Sequence, residues 1–339
     1  MCRGMHNKKL SVIVTLYNVE LYADRVARSI TSQAFKGLEV ILVDDGSADR
    51  SLEVCVNHLS GVDIIPIRQK NIGPGGARNT GIKVASGEYI MFIDGDDFIL
   101  PETFENIIAV LEAEQPDVLF GRYMRWMPDA GLMADFKPRF TPLREVNFRV
   151  EDILEVFPEP SWNSVWRYVC KREFILLNEI FFDPSMYCED LKWVLELLDA
   201  LEKNLGRLSF LQKPFYAYNY IRLGSIMNGT SPKRLTDLTL IVAEALEKYS
   251  DRPAMCKELV WQTFYYINQY CTFPKAERKE IYRSYQKVFP LFELSRSNLY
   301  YIVSKFRNPV MFYGLSVGMF AVNYSRKKLW RYGRLTKKG

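Results

Sequence analysis

Between residues 10 and 121 the apolar positions come in short continuous runs, each closed by a polar or glycine-rich stretch. Residues 10–16 (LSVIVTL), 38–43, 62–67, 88–93 and 117–121 are such runs, long enough for a buried strand and too short for a buried helix. Between them the spacing becomes helical. Residues 21–35 carry Leu21, Val26 and Ile30 with polar positions between them. A second helix is predicted up to His58 with Asp49 or Ser51 as its cap, a third through Ala85, and a fourth over 101–114 with Pro101 near its first turn. Strands that are apolar throughout and alternate with helices predict an α/β domain. Its sheet is mostly parallel and covered on both faces.

Beyond Gly121 the regularity fades. Residues 123–147 hold Pro128, Gly131, Pro138 and Pro142 and read as irregular loop or hairpin; 150–157 read as a short helix. Strands are expected over 166–170, 208–211 and 215–220. Residues 184–201 begin as loop and become a helix with Glu189-Asp190 at its start. From Ser231 the pattern is helical, broken at Pro253, Pro274, Pro290 and Pro309. The expected division is therefore a sheet domain over 1–230 and a helical region over 231–339.

Composition narrows the chemistry. The chain has 339 residues, 48% of them hydrophobic, enough for a sizeable core. Six scattered cysteines form no C-x-x-C pair, which fits free thiols in a reducing, cytoplasmic setting. Two histidines leave little scope for histidine triads or multi-histidine metal sites, so catalysis should rest on carboxylates, arginine and a metal. The polar, basic segment 1–9 is not expected to act as a leader. The net charge of +5 hides an asymmetry: residues 294–339 hold ten Lys or Arg and no Asp or Glu, so the rest of the chain is mildly acidic.

Ligands of such sheets bind outside the carboxyl ends of the strands. Those ends read Tyr17-Asn18-Val19-Glu20, Asp44-Asp45-Gly46-Ser47 and Asp94-Gly95-Asp96-Asp97. Three carboxylates around Gly95 repel one another unless a positive charge sits among them, and a hard divalent cation is the natural partner. Gly95 is expected where a ligand comes close. The glycine-rich loop 71–81 opens a helix, and its backbone amides suit an anion. Arg78 adds a fixed charge apt for a base or a diphosphate. The spacing is neither that of a P-loop nor that of the dinucleotide-binding G-x-G-x-x-G.

These groups, in this order, resemble the family 2 glycosyltransferases. The matching residues are Leu10 to Glu20, Val43 to Asp49, Asn71-Ile72-Gly73 with Gly76 to Gly81, and Ile93 to Asp97. The match continues through Trp166 to Phe174, Tyr187-Cys188-Glu189-Asp190 and Arg222 to Ile226, so it covers about residues 9–228. Thr15 stands where the family usually has proline. The resemblance implies the GT-A fold, a Rossmann-like mostly parallel sheet with helices on both faces, followed here by a helical C-terminal region. It implies a UDP-sugar donor. Thr15, Tyr17, Asp45, Glu20 and Asp44 would hold or lie near uridine, and Asn71, Gly76, Arg78 and Arg222 would lie at the nucleotide and diphosphate. Asp94 and Gly95 would meet the donor. Mn²⁺ or Mg²⁺ would be ligated by Asp96 with Asp94 and Asp97 as further candidates. Asp190 would be the base, Glu189 would bind acceptor or donor sugar, and the transfer would invert the anomeric centre. Trp162, Trp166, Arg167 and Ser225 are further candidates for the sugar and diphosphate sites.

Each residue also has a plainer reading. Asp44 suits a turn, Glu189-Asp190 suits the positive end of a helix, and the tryptophans suit the core. Two other functions fit parts of the pattern: a sugar-nucleotide nucleotidyltransferase and a nucleotide-sugar-binding protein without catalysis. The first lacks its glycine-rich basic signature after the first strand; intact Asp94, Asp96 and Asp190 weigh against the second. The expected acceptor is a glycan, lipid-linked in one version, made for a surface polysaccharide. The apolar segment 309–321, flanked by basic residues, is shorter than the ~20 residues a spanning helix needs. Peripheral docking on the inner face of the membrane is expected of this tail, against a packed helix as the alternative. No nucleic-acid motif is present.

Overall fold

The computed structural model of the chain describes residues 8–33, 35–129, 131–134, 160–220, 231–252, 255–256, 258–260 and 273–288. The segments expected at 150–157, at Arg222 and Ser225, and in the basic tail lie outside the described residues. The chain divides into two compact units, 1–185 with 189–223, and 186–188 with 224–339.

In the first unit the apolar runs become strands as expected. β1 (Leu10–Leu16), β2 (Leu38–Asp44), β3 (Asp63–Arg68) and β4 (Tyr89–Asp94) pair in parallel, in the order β3-β2-β1-β4. Helices α1 (Glu20–Thr31), α2 (Ser51–His58) and α3 (Gly73–Val84) connect them. β5 (Phe98–Ile99) and α4 (Thr103–Glu114) follow, with Pro101 in the preceding turn. The sheet then continues through β8 (Tyr168–Lys171), β6 (Val118–Met127) and β9 (Leu208–Asn219) to β5. β8 is antiparallel to both neighbours, β6 and β9 are parallel, and β7 (Gly131–Ala134) folds back on β6 as a hairpin.

Both faces of the central strands are covered. Val12, Val14, Leu16, Val40 and Leu42 pack with Ala23, Val26 and Ile30 of α1 and with Phe104 and Ile107 of α4. Ile13 faces the other way, onto α3, where a methyl group on Gly81 would sit 2.4 Å from it. Burying each such aliphatic side chain contributes ~1.5–3 kcal/mol. Pro66 lies in β3, an edge strand, where a missing N–H is tolerated. Away from the strand ends, the fully buried Glu39 accepts from Ser11 Oγ and from the Ser86 amide and hydroxyl.

Three boundaries differ from the sequence reading. The segment at Trp166 is a single 3₁₀ turn (Val165–Arg167), and β8 begins only at Tyr168. The two strands expected over 208–220 are one, since the exposed Gln212-Lys213 pair marks solvent and not a chain reversal. The strand expected over 117–121 runs on to Met127 because β7 and β9 supply partners. After α5 (Arg172–Leu177), α6 (Glu189–Lys203) starts at the acidic pair.

In the second unit, α7 (Pro232–Lys248) packs against α8 (Lys275–Val288). The Tyr187 amide donates to Asp237 Oδ2 of α7 at 2.8 Å, and Lys233 pairs with the same carboxylate. Among the described residues no helix is long and apolar enough to cross a membrane.

Candidate active site

Parallel register brings the ends of β1, β2 and β4 side by side: Thr15 lies opposite Asp94, and Leu16 opposite Asp44. Thr15 Oγ1 donates to Asp94 Oδ1 at 3.4 Å. The loops after β1 and β2 are laced together. The Asn18 amide donates to Ser47 Oγ, the Ala48 amide to Asn18 Oδ1, and the Val19 amide to Ser51 Oγ. The N-cap of α2 is Arg50, not the expected Asp49 or Ser51; Asp49 accepts the Ser51 amide just ahead of the helix and also the Glu20 amide.

The two aspartates after β2 do different work. Asp44 is fully buried, with Oδ1 accepting from the Ser47 amide and Oδ2 from Arg68 Nε. Its carboxylate closes the turn, as the plainer reading held. Asp45 Oδ1 accepts from Gln69 Nε2 and the Ile72 amide, which ties β2 to the glycine-rich loop. Asn71 Oδ1 accepts the Gly73 amide at 3.2 Å just ahead of α3. The Glu20 carboxylate accepts from the Arg50 amide and twice from its guanidinium, and these bonds hold its carboxyl below the usual range. Tyr17 stands exposed at the rim.

The glycines have a packing cause. A methyl on Gly76 would meet Ile72 at 2.6 Å, and one on Gly75 would meet Phe182 at 2.9 Å and Glu189 at 3.1 Å. Gly75 thus lets α3 press against the start of α6. The same holds for Gly95, expected to make room for a ligand: its nearest neighbours are Leu16 and the Thr15 carbonyl, both 2.7 Å from an added methyl. The acidic turn lies directly on the end of β1.

Arg78 is at the centre. It projects from α3 with its side chain only 4% exposed and donates to Asp94 at 2.9 Å, Glu189 at 3.0 Å and Asp190 at 2.7 Å. Burial opposes its charge, but the three carboxylates more than restore it and raise its pKa. The sequence reading aimed Arg78 at a base or a diphosphate; the structure engages it with carboxylates from β4 and α6. Asp190 is 26% exposed in its side chain and also accepts the Val165 amide at 3.4 Å. Burial pushes its pKa up to about 7; Arg78 opposes this, while Glu189 and Asp94 add to it. A carboxylate poised there suits proton abstraction near neutral pH.

The acidic turn separates into roles. Asp94 Oδ1 is held by Arg78 and Thr15, and its Oδ2 has no hydrogen bond among the described residues. Asp96 is partly exposed. Asp97, expected among the metal ligands, is 1% exposed, with Oδ2 accepting from the Tyr216 hydroxyl and Oδ1 from the Asn219 amide. Burial, then Asp96 and Asp94, raise its pKa well above the usual range. Among the described residues no group of three or more acidic, histidine or cysteine side chains could hold a metal. Asp94 and Asp96 still fit a divalent cation of the magnesium type, which commonly takes one or two carboxylates and completes its shell with substrate phosphates.

Trp162 is fully buried, and Trp166 stacks on Tyr216 with ring centres 4.5 Å apart. Arg167 is buried against Phe120 and donates to the Gly121 carbonyl. These three form core behind the site. The sequence reading missed Arg25, Tyr216 and Asn219, which meet the acidic turn from α1 and β9. Only Arg25 left a trace, as a basic residue between the apolar positions Ala23 and Val26.

The sequence pattern described as Glycosyl transferase family 2 matches residues 11–171, which hold the three strand ends and the glycine-rich helix. The chain belongs to glycosyl transferase family 2. It is 26% identical over 299 residues to a cholesterol galactosyltransferase of Borreliella burgdorferi, covering 84% of this chain and 82% of that one. It is 38% identical over 247 residues to the glycosyltransferase GlyA of Streptococcus pneumoniae, covering 70% of this chain and 34% of GlyA. The fold matches that of residues 1–349 of S. aureus TarS, solved in complex with UDP-GlcNAc, with TM-score 0.71 and 20% identity over 91% of this chain and 90% of that one. This family 2 member is a glycosyltransferase with the GT-A fold.

Proposed function

We propose that the chain is an inverting, metal-dependent glycosyltransferase that moves a sugar from a UDP-sugar to a hydroxyl of a glycan acceptor. The observation that carries this reading is the shared ion pairing of Arg78, which sets Asp190, with its pKa near neutrality, beside Asp94 at the end of β4. Asp190 takes the proton from the acceptor hydroxyl. The acceptor oxygen bonds to the anomeric carbon as the bond from that carbon to the diphosphate breaks, and UDP leaves with the electron pair. One displacement on one carbon inverts its configuration. Arg78 keeps Asp190 oriented, and Glu189, on the same guanidinium, faces the sugars.

Uridine fits the crevice between β1 and β2. Asp45 keeps Oδ2 for a uracil N–H, since its Oδ1 is taken by Gln69 and the Ile72 amide. Thr15 and Tyr17 border this crevice. The donor class is supported by TarS, which shares the fold and was solved with UDP-GlcNAc. Asp96 and Asp94 would hold Mn²⁺ or Mg²⁺; bound there, the cation would neutralise charge on the departing diphosphate. The basic charge of segment 294–339 suits a peripheral place on the inner membrane face, where a lipid-linked acceptor for a surface polysaccharide would be met. UDP release from a panel of UDP-sugars, with Mn²⁺ and with chelator, tests the reading. Metal-dependent release from one donor is expected, and metal-independent release at full rate would remove the cation from the account.

A further inference from the structure

Resting on that reading, we propose that Tyr216 and Asn219 of β9 and Arg25 of α1 are positioning residues that clamp the acidic turn in the shape in which it meets a diphosphate. The turn places three carboxylates within four residues, and their repulsion favours opening it. Its own bonds are few: Asp97 N to the Asp94 carbonyl, and Gly95 N to the Thr15 carbonyl, both 2.9 Å. Arg78 and Thr15 hold the Asp94 side chain, and three further residues reach the turn from α1 and β9. The Tyr216 hydroxyl accepts the Asp94 amide at 3.1 Å and donates to Asp97 Oδ2 at 2.6 Å. The Asn219 amide donates to Asp97 Oδ1 at 2.7 Å, and its side-chain Nδ2 to the Asp96 carbonyl at 3.2 Å. Arg25 Nη2 reaches the same carbonyl at 2.9 Å, its guanidinium lying 3.9 Å from the centre of the Trp126 ring.

Asp97 is the lever of this clamp. Buried and doubly held, it anchors the turn, while Asp94 and Asp96 stay partly exposed. The bonds join residues 71 to 123 positions apart, and all of them engage the turn through its backbone or through Asp97. The arrangement thus orients the turn without occupying the side chains proposed to meet the donor. Tyr216 also has a packing role, stacked on Trp166, and Tyr216→Phe preserves that stack while deleting the hydroxyl.

Calorimetry on the full chain with Mn²⁺, titrating uridine and UDP separately, tests the clamp. Uridine reports the base crevice, and the gain from uridine to UDP reports the acidic turn. Tyr216→Phe and Arg25→Met should each lose roughly tenfold in UDP affinity, the worth of one hydrogen bond involving a charged group, and Asn219→Ala, which removes a neutral bond to the Asp96 carbonyl, about threefold to tenfold, with uridine binding unchanged in all three. Tyr216→Phe added to Asp96→Asn should cost little beyond Asp96→Asn alone, because the two act through one element. Asn219→Ala spares the bond from its own backbone to Asp97 and answers the question if loss of the Tyr216 hydroxyl unfolds the chain. A wild-type ratio of UDP to uridine affinity in the variants, or fully additive losses in the double variant, overturns the clamp and leaves the donor reading standing. A wild type that binds neither ligand overturns both.

Discussion

Arg78 and Asp190 form a 2.7 Å ion pair, and the same guanidinium holds Asp94 and Glu189. Removing Arg78 leaves three partly buried carboxylates without their counter-charge. Arg78→Ala should destabilise the fold by about 3–5 kcal/mol. Arg78→Lys keeps the charge but not the fork that reaches three partners, so it should fall between wild type and Arg78→Ala in thermal stability. Differential scanning calorimetry of the two variants checks the order.

The Asp190 pKa, near 7, ties activity and stability to one pH window. As the proposed base, Asp190 works only when ionised, so kcat/KM should rise through about pH 7 and level above it. Stability should move the other way. The folded carboxyl holds a proton that the unfolded chain releases near 3.8, so stability contributed by this group falls as pH climbs from there to about 7. Asp190→Asn should flatten part of the fall. Some slope should remain, because Asp97 is raised in the same direction. Urea titrations across pH 4 to 8 measure both.

Gly95 lies where a methyl group would press on the Thr15 carbonyl and Leu16. Backbone at the end of a central strand does not yield easily, so Gly95→Ala should displace the acidic turn and cost about 1–3 kcal/mol. UDP binding should weaken while uridine binding persists, and calorimetry separates the two.

Asp45→Asn should have the opposite signature. It retains an oxygen for the Ile72 amide but replaces a second acceptor with a donor, so it should weaken uridine and UDP alike by roughly tenfold or more. Equal loss for both ligands is the check.

The fold was legible where burial is two-sided. β1, β2 and β4 are apolar at nearly every position because helices cover both faces, and a continuous run of that length leaves few alternatives. The sequence pattern splits β9 in two, because its exposed Gln212 and Lys213 look like a loop when their strand neighbours are unknown. At the site, residue types on strand ends were readable, but their pairings were not. Arg78 meets Glu189 and Asp190 across 111 and 112 positions, and no local pattern signals that it answers carboxylates before phosphates. The burial of Asp97 likewise depends on Tyr216, 119 positions away. Neighbouring aspartates of one turn look equivalent in sequence and are divided only by what packs behind them.

The central claim is that Asp190 takes the acceptor proton while the donor is held elsewhere. Single-turnover transfer by Asp190→Asn, run beside UDP calorimetry on the same protein, tests it most directly. UDP affinity within a few-fold of wild type, with transfer lowered by about 10²-fold or more, is the predicted result. Turnover at the wild-type rate in Asp190→Asn would contradict the assignment.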